Sequence, residues 1–191
     1  MMKELGRPRD QRIADAVLQA TAEMLSESGY SALSVDAIAR RAGTSKPAIY
    51  RRWPSKAHMV HEAVFPVGSA TELPDTGSLD GDVREMMRRA VTFLSTPAAR
   101  EALPGLLGEM TTDPTLHAAL LERFSDVLTR GLNERLAAAA ARGEVRADVT
   151  AADLTDVVAG LALLAALTRG GELDDDWIDR NATLILKGIG K

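Results

Sequence analysis

Apolar residues recur along this chain at intervals of three and four. Ile13, Val17, Thr21 and Met24, flanked by Ala14, Leu18 and Leu25, form one stripe, which predicts an amphipathic first helix. Gly29 fits the position just past its end. Ser34 is placed to cap a helix over Val35–Arg41 that Gly43 stops, and Thr44 or Ser45 can cap the next one. Pro47 falls in that helix's first turn, where a missing N–H costs little. Pro54-Ser55 then ends it and caps a fourth helix, Lys56 to about Phe65. Residues 66–79 hold Pro66, Gly68, Pro74 and Gly77 and read as a loop. Helical spacing resumes over Asp80–Ser95. A short or kinked helix follows to Thr112, then a long one over Thr115–Arg142 closed by Gly143. Ala151–Arg169 and Asp174 to about Lys187 complete the pattern, the last with acids in its first turn, where the macrodipole favours them. No segment keeps a period of two for long, so the expected class is all-α, with no sheet.

Composition narrows this little. With 46% hydrophobic residues the chain has material for a core without disulfides, and it has no cysteine to form one. Met1–Arg12 is polar and basic, unlike a secretory leader. The longest apolar run, Val157–Leu167, falls short of the roughly 20 residues a membrane span needs. A cytoplasmic protein with no membrane partner is therefore expected. The charge is more informative than its total of −4. Residues 1–60 carry ten Lys/Arg against six acids, a net +4, whereas the remainder carries −8. A basic head on an acidic body suits a polyanion binder with a separate second domain.

The chemistry sits in Val35-Asp-Ala-Ile-Ala-Arg-Arg-Ala-Gly-Thr-Ser-Lys-Pro-Ala-Ile-Tyr-Arg-Arg-Trp53. Two short helices crossing steeply need a small residue at the approach, here Ala39, and a turn residue tolerant of positive φ, here Gly43. Ile38, Ala42, Ile49 and Trp53 supply the inner faces. The outer face of the second helix then carries Ser45, Lys46, Ala48, Arg51 and Arg52, small near its start and basic near its end, as a major-groove reader requires. Tyr50 can donate to a phosphate, and Lys56 sits beside a helix N-terminus that favours one. Arg7 and Arg9 are expected as a basic arm ahead of the first helix. Ser34, Val35 and Thr44 complete the candidate DNA-binding set. Arg40 and Arg41 read better as a solvated face.

Gly29-Tyr30, Leu33 to Ala39, Ala42 to Lys46, Ile49-Tyr50 and Trp53 to Lys56 resemble the N-terminal domain of TetR-family regulators, in order and at the family's spacing, from about Arg12 to Val64. The family usually has Phe at Trp53 and often His or Tyr at Arg52. Arg142 to Val149 resembles the link into the family's penultimate helix. The resemblance implies a nine-helix, all-α homodimer. Its first three helices would bind operator DNA, its middle helices would surround a small-molecule pocket, and its last two would pair with their mates. The domain division is drawn accordingly, residues 1–56 for DNA and 57–191 for ligand binding and dimerisation, with the hinge at or just before the 66–79 loop.

The second domain offers stripes for both roles. Met86, Met87, Ala90, Phe93, Leu94, Leu103, Leu106, Leu107, Met110, Leu116, Leu120 and Phe124 are candidates to line a pocket, with His117 to orient a polar ligand atom; such stripes are more often plain core. Ala151–Arg169 is apolar on more than one face and needs several partners. Leu154, Val157, Val158, Leu161, Leu164 and Ala165, with Trp177, Ile178, Leu184 and Ile185 of the last helix, are the expected dimer interface. No catalytic constellation, cofactor motif or metal set stands out, and His58, His61 and His117 are too dispersed to hold a metal. The expected function is a ligand-released repressor on a palindromic operator. A regulator whose second domain only dimerises or meets a protein partner, an activator, and a helical enzyme are the alternatives.

Overall fold

The computed structural model describes residues 7–65, 75–119, 122, 132–169 and 173–190, with the side chains of 7–10 excepted. Among these residues every regular element is a helix: α1 (Arg7–Ala32), α2 (Val35–Arg41), α3 (Lys46–Tyr50), α4 (Lys56–Val64), α5 (Leu79–Leu94), α6 (Pro97–Met110), α7 (Leu132–Ala141), α8 (Ala151–Thr168) and α9 (Asp175–Ile189). Residues 114–119 are also helical, and the middle of the long helix expected over Thr115–Arg142 lies outside the described residues.

The chain forms two compact units, Met1–Val67 with Pro97–His117, and Gly68–Thr96 with Ala118–Lys191. This grouping differs from a cut at 56/57, because α4 and α6 pack with α1 in the first unit. The reason is α1 itself. It buries Ala14, Val17, Ala20, Thr21 and Leu25 along one stripe long enough to meet α2, α4 and α6.

In the first unit Leu25, Ile38, Ile49 and Met59 are fully buried; each such side chain contributes about 1.5–3 kcal/mol relative to exposure. Three serines start three helices. The N–H groups of Ala37, Ala48 and His58 donate to Ser34, Ser45 and Ser55 at 3.5, 3.4 and 3.3 Å. Gly29 breaks α1 as expected of a terminal glycine, with φ +74°, but three more helical residues follow the kink. Pro104 is accommodated inside a continuous α6.

In the second unit α5 packs against α7, α8 and α9. It buries Leu79, Val83, Met86, Met87, Ala90, Val91 and Leu94, and one carboxylate, Asp82. Asp82 accepts from the Thr76 N–H and hydroxyl at 3.1 and 2.9 Å and lies 3.5 Å from the Arg135 guanidinium. A buried charge persists only when satisfied in this way. α8 opens on a reciprocal capping box between Thr150 and Asp153, and α9 on Asp174, whose carboxylate accepts from the Trp177 N–H at 2.8 Å.

Candidate nucleic-acid interface

The reading head is built from the turn outward. α2 seats Ile38 and Ala39 in the core. The chain reverses at Gly43, φ +65°, and the Thr44 N–H returns to Ala39 O at 2.9 Å. Ser45, in extended geometry, caps α3. Ile49 and Trp53 lock this short helix inward, and Trp53 Nε1 donates to Glu62 on α4 at 2.8 Å. Locking that face leaves Ser45, Lys46, Tyr50, Arg51 and Arg52 exposed, with Thr44 and Ala48 half-buried beside them. Thr44, Ala48, Arg51 and Arg52 also border an open groove of about 250 Å³ floored by Ile13, Ala14, Val17, Ile49 and Trp53. The Arg52 guanidinium lies 5.4 Å over the Trp53 ring, so it stays displayed at the surface.

The other cations differ in how free they are. Lys46 Nζ lies 2.9 Å from Asp36 on α2, and that hydrogen bond holds its ammonium above the usual lysine range. Arg41, also exposed, donates to Glu27 on α1 at 2.8 Å. Lys56 is half-buried and donates to Tyr30 O at 3.2 Å. Val35 corrects the candidate set: its side chain is 7% exposed, because the first residue of α2 faces the core. Ser34 acts as a cap. Arg7 and Arg9 lie in the first turn of α1 rather than ahead of it, and their side chains lie outside the described residues. Asp36, Tyr30, Glu62 and Glu109 make the cross-helix contacts of this unit, roles the sequence pattern does not assign them. They act across helices, and no local spacing announces them.

These features fit known proteins. A family model for bacterial regulatory proteins of the tetR family matches residues 17–63. A second, for the tetracyclin repressor-like C-terminal domain, matches residues 73–185. A DNA-binding transcriptional repressor TetR of Mycobacteroides abscessus is 33% identical over 86% of this chain and 87% of its own. The chain belongs to the TetR family. The uncharacterized HTH-type transcriptional regulator YdeS of Bacillus subtilis is 29% identical over 99% of this chain and 96% of its own. The crystal structure of the TetR family regulator SCO0332 aligns with a TM-score of 0.63 at 28% identity, covering 94% of this chain and 99% of its own. This TetR-family chain is therefore a DNA-binding transcriptional regulator and not an enzyme.

The remaining candidates divide. Met86, Met87, Ala90 and Leu94 are buried in the second unit, with Phe93 half-buried. Leu103, Leu106 and Leu116 are buried in the first, with Leu107 and Met110 half-buried. His117 is exposed. Leu120 and Phe124 lie outside the described residues. Of the expected dimer set, Leu154, Val158, Ala165, Trp177, Ile178 and Ile185 are buried within the chain, because α8 and α9 turn those faces onto α5. Leu161 is half-buried. Val157, Leu164 and Leu184 are 46%, 61% and 68% exposed, and Leu167, not in that set, joins them at 42%. Among the described residues no group of three or more His, Asp or Glu could hold a metal; the two ring nitrogens of His58 meet Ser55 and Thr115 hydroxyls at 3.0 and 3.3 Å.

Proposed function

We propose that this TetR-family regulator represses transcription in the cytoplasm by binding a palindromic operator as a homodimer, and that a small apolar or amphipathic molecule releases it. The observation that carries the DNA reading is the capped face of α3, where Ser45, Lys46, Tyr50, Arg51 and Arg52 all remain exposed while Ile49 and Trp53 hold the helix inward. The name of the Mycobacteroides relative supports repression. The dimer reading rests on Val157, Leu164, Leu167 and Leu184, large apolar groups left exposed on the last two helices. α8, with 18 residues and a mean hydropathy of 1.6, has the length and composition to cross a membrane, and only a third of it is buried within the chain, so much of its apolar length is left for a partner surface. A two-fold pair would present two heads to successive major grooves. An effector favouring a conformer with wrongly spaced heads releases DNA through its differential affinity, about 1–3 kcal/mol of coupling.

A second reading, a regulator whose C-terminal part only dimerises, draws on Met86, Met87 and Leu106, which are packed as fully buried core. Thermal shift with a panel of small hydrophobic molecules separates the two: a stabilised hit that also releases DNA supports the effector, and a flat response supports the second reading. The DNA reading is tested by electrophoretic shift on the region flanking its own gene. Specific retardation that Arg51→Ala and Arg52→Ala each weaken is expected; no retardation at low salt overturns it.

A further inference from the structure

Tyr30 sits where three helices of the first unit meet. The φ +74° kink at Gly29 turns it out of the run of α1. Its ring lies under the Lys56 ammonium, 4.0 Å from centroid to Nζ, and its carbonyl accepts from the same ammonium at 3.2 Å. Both contacts stabilise a cation at one place. The Tyr30 hydroxyl donates to Glu109 on α6. Burial, and then that carboxylate, push the hydroxyl's pKa well up, so it remains a donor. α6 approaches the ring at Gly105, where an added Cβ would overlap Tyr30 Cδ1. The ring is therefore gripped from the α6 side by shape and by a hydrogen bond, and it carries the cation at the start of α4.

We infer that Tyr30 is a positioning residue that sets where the Lys56 ammonium stands against DNA, and that its bond to Glu109 makes this position depend on α6. The inference rests on the reading of Lys56 as a phosphate contact. A shift of α6 relative to α1 drags or frees the ring, and Lys56 moves with it. Sequence proximity alone does not link these groups, since 26 residues separate Tyr30 from Lys56 and 79 separate it from Glu109.

The test titrates a fluorescein-labelled mixed-sequence DNA duplex of about 30 base pairs by anisotropy, from about 50 to 200 mM salt. Lys56→Gln should weaken binding and reduce the salt slope by about one. Tyr30→Leu should weaken binding about three- to fivefold in the wild-type background and hardly at all in the Lys56→Gln background. Glu109→Ala should show the same pattern at smaller size. Glu109→Gln, which still accepts the tyrosyl proton, should bind as the wild type does. Thermal melts verify folding; should Tyr30→Leu fail to fold, the Glu109→Ala pair decides. Equal losses from Tyr30→Leu or Glu109→Ala in both backgrounds, or no loss in the wild type, overturn the inference while leaving Lys56 as a phosphate contact. A Lys56→Gln protein with unchanged affinity and slope removes the phosphate contact itself, and the inference with it.

Discussion

At Gly43 the backbone, not the surroundings, excludes a side chain. An added Cβ meets nothing within 4 Å, yet φ is +65°. Gly43→Ala should therefore cost about 1–2 kcal/mol in urea unfolding, the ordinary cost of the left-handed region, and Gly43→Asn less. A loss several times larger would mean that the turn is crowded in a way the geometry does not show. Lys46 shows the opposite case, in which the neighbour matters and the backbone does not. Asp36 holds its ammonium in the free protein, so Asp36→Asn should tighten binding to mixed-sequence DNA and steepen its salt dependence. Unchanged binding would show that the pair is already broken in solution. Gly43 and the capping serines were legible in the sequence because turn and cap rules act within four residues. The Lys46–Asp36 and Lys56–Tyr30 contacts were not, because they join residues that only the folded head brings together. Val35 misled for a related reason: adjacency to a cap does not say which way the first helical side chain faces.

The short helices depend on their ends more than the long ones do. α3 has five residues, and Ser45 satisfies one of its free N–H groups. Ser45→Ala should cost about 1 kcal/mol and, on the proposal that α3 is the reading helix, should also weaken DNA binding; Ser55→Ala should cost as much with less effect on DNA. In the second unit a helix cap and a mid-helix ion pair carry a pH signature. Thr150 holds the Asp153 carboxyl below its ordinary value of 3.8, and Arg89, then Arg88, hold Glu85 below 4.5. A depressed folded value means that the stabilisation is complete above the unfolded one and is lost as pH falls through the folded one. Melting temperature should therefore drop below about pH 4.5, and Asp153→Asn should make that drop shallower; an unaltered acid limb would contradict the capping box. Helix existence and type were readable from the three-four spacing. Their partners were less so: one apolar period describes α5, packed on three helices, and the faces of α8 and α9 that remain exposed.

For the whole molecule, the two compact units interleave along the chain, so α6 belongs to the unit that holds α1–α4 although it follows α5 in sequence. A boundary drawn from composition cannot express that, because breaker-rich loops mark where a chain turns and not which body the next helix joins. The exposed leucines make the dimer testable. Leu164→Glu with Leu184→Glu places charge where each side chain is more than half exposed. Light scattering at micromolar concentration should give a dimer for the wild type and a monomer for the double variant, with the fold retained; a wild-type monomer would remove the interface. Sequence reading by α3 is measured by anisotropy at physiological salt. A duplex from upstream of the protein's own gene is compared with a scrambled one, for the wild type and for Arg51→Ala/Arg52→Ala. The wild type should bind the first at least about 10³-fold more tightly, and the variant should lose most of that ratio. Equal affinity of the wild type for both duplexes, or a ratio the variant keeps, would contradict sequence reading by α3.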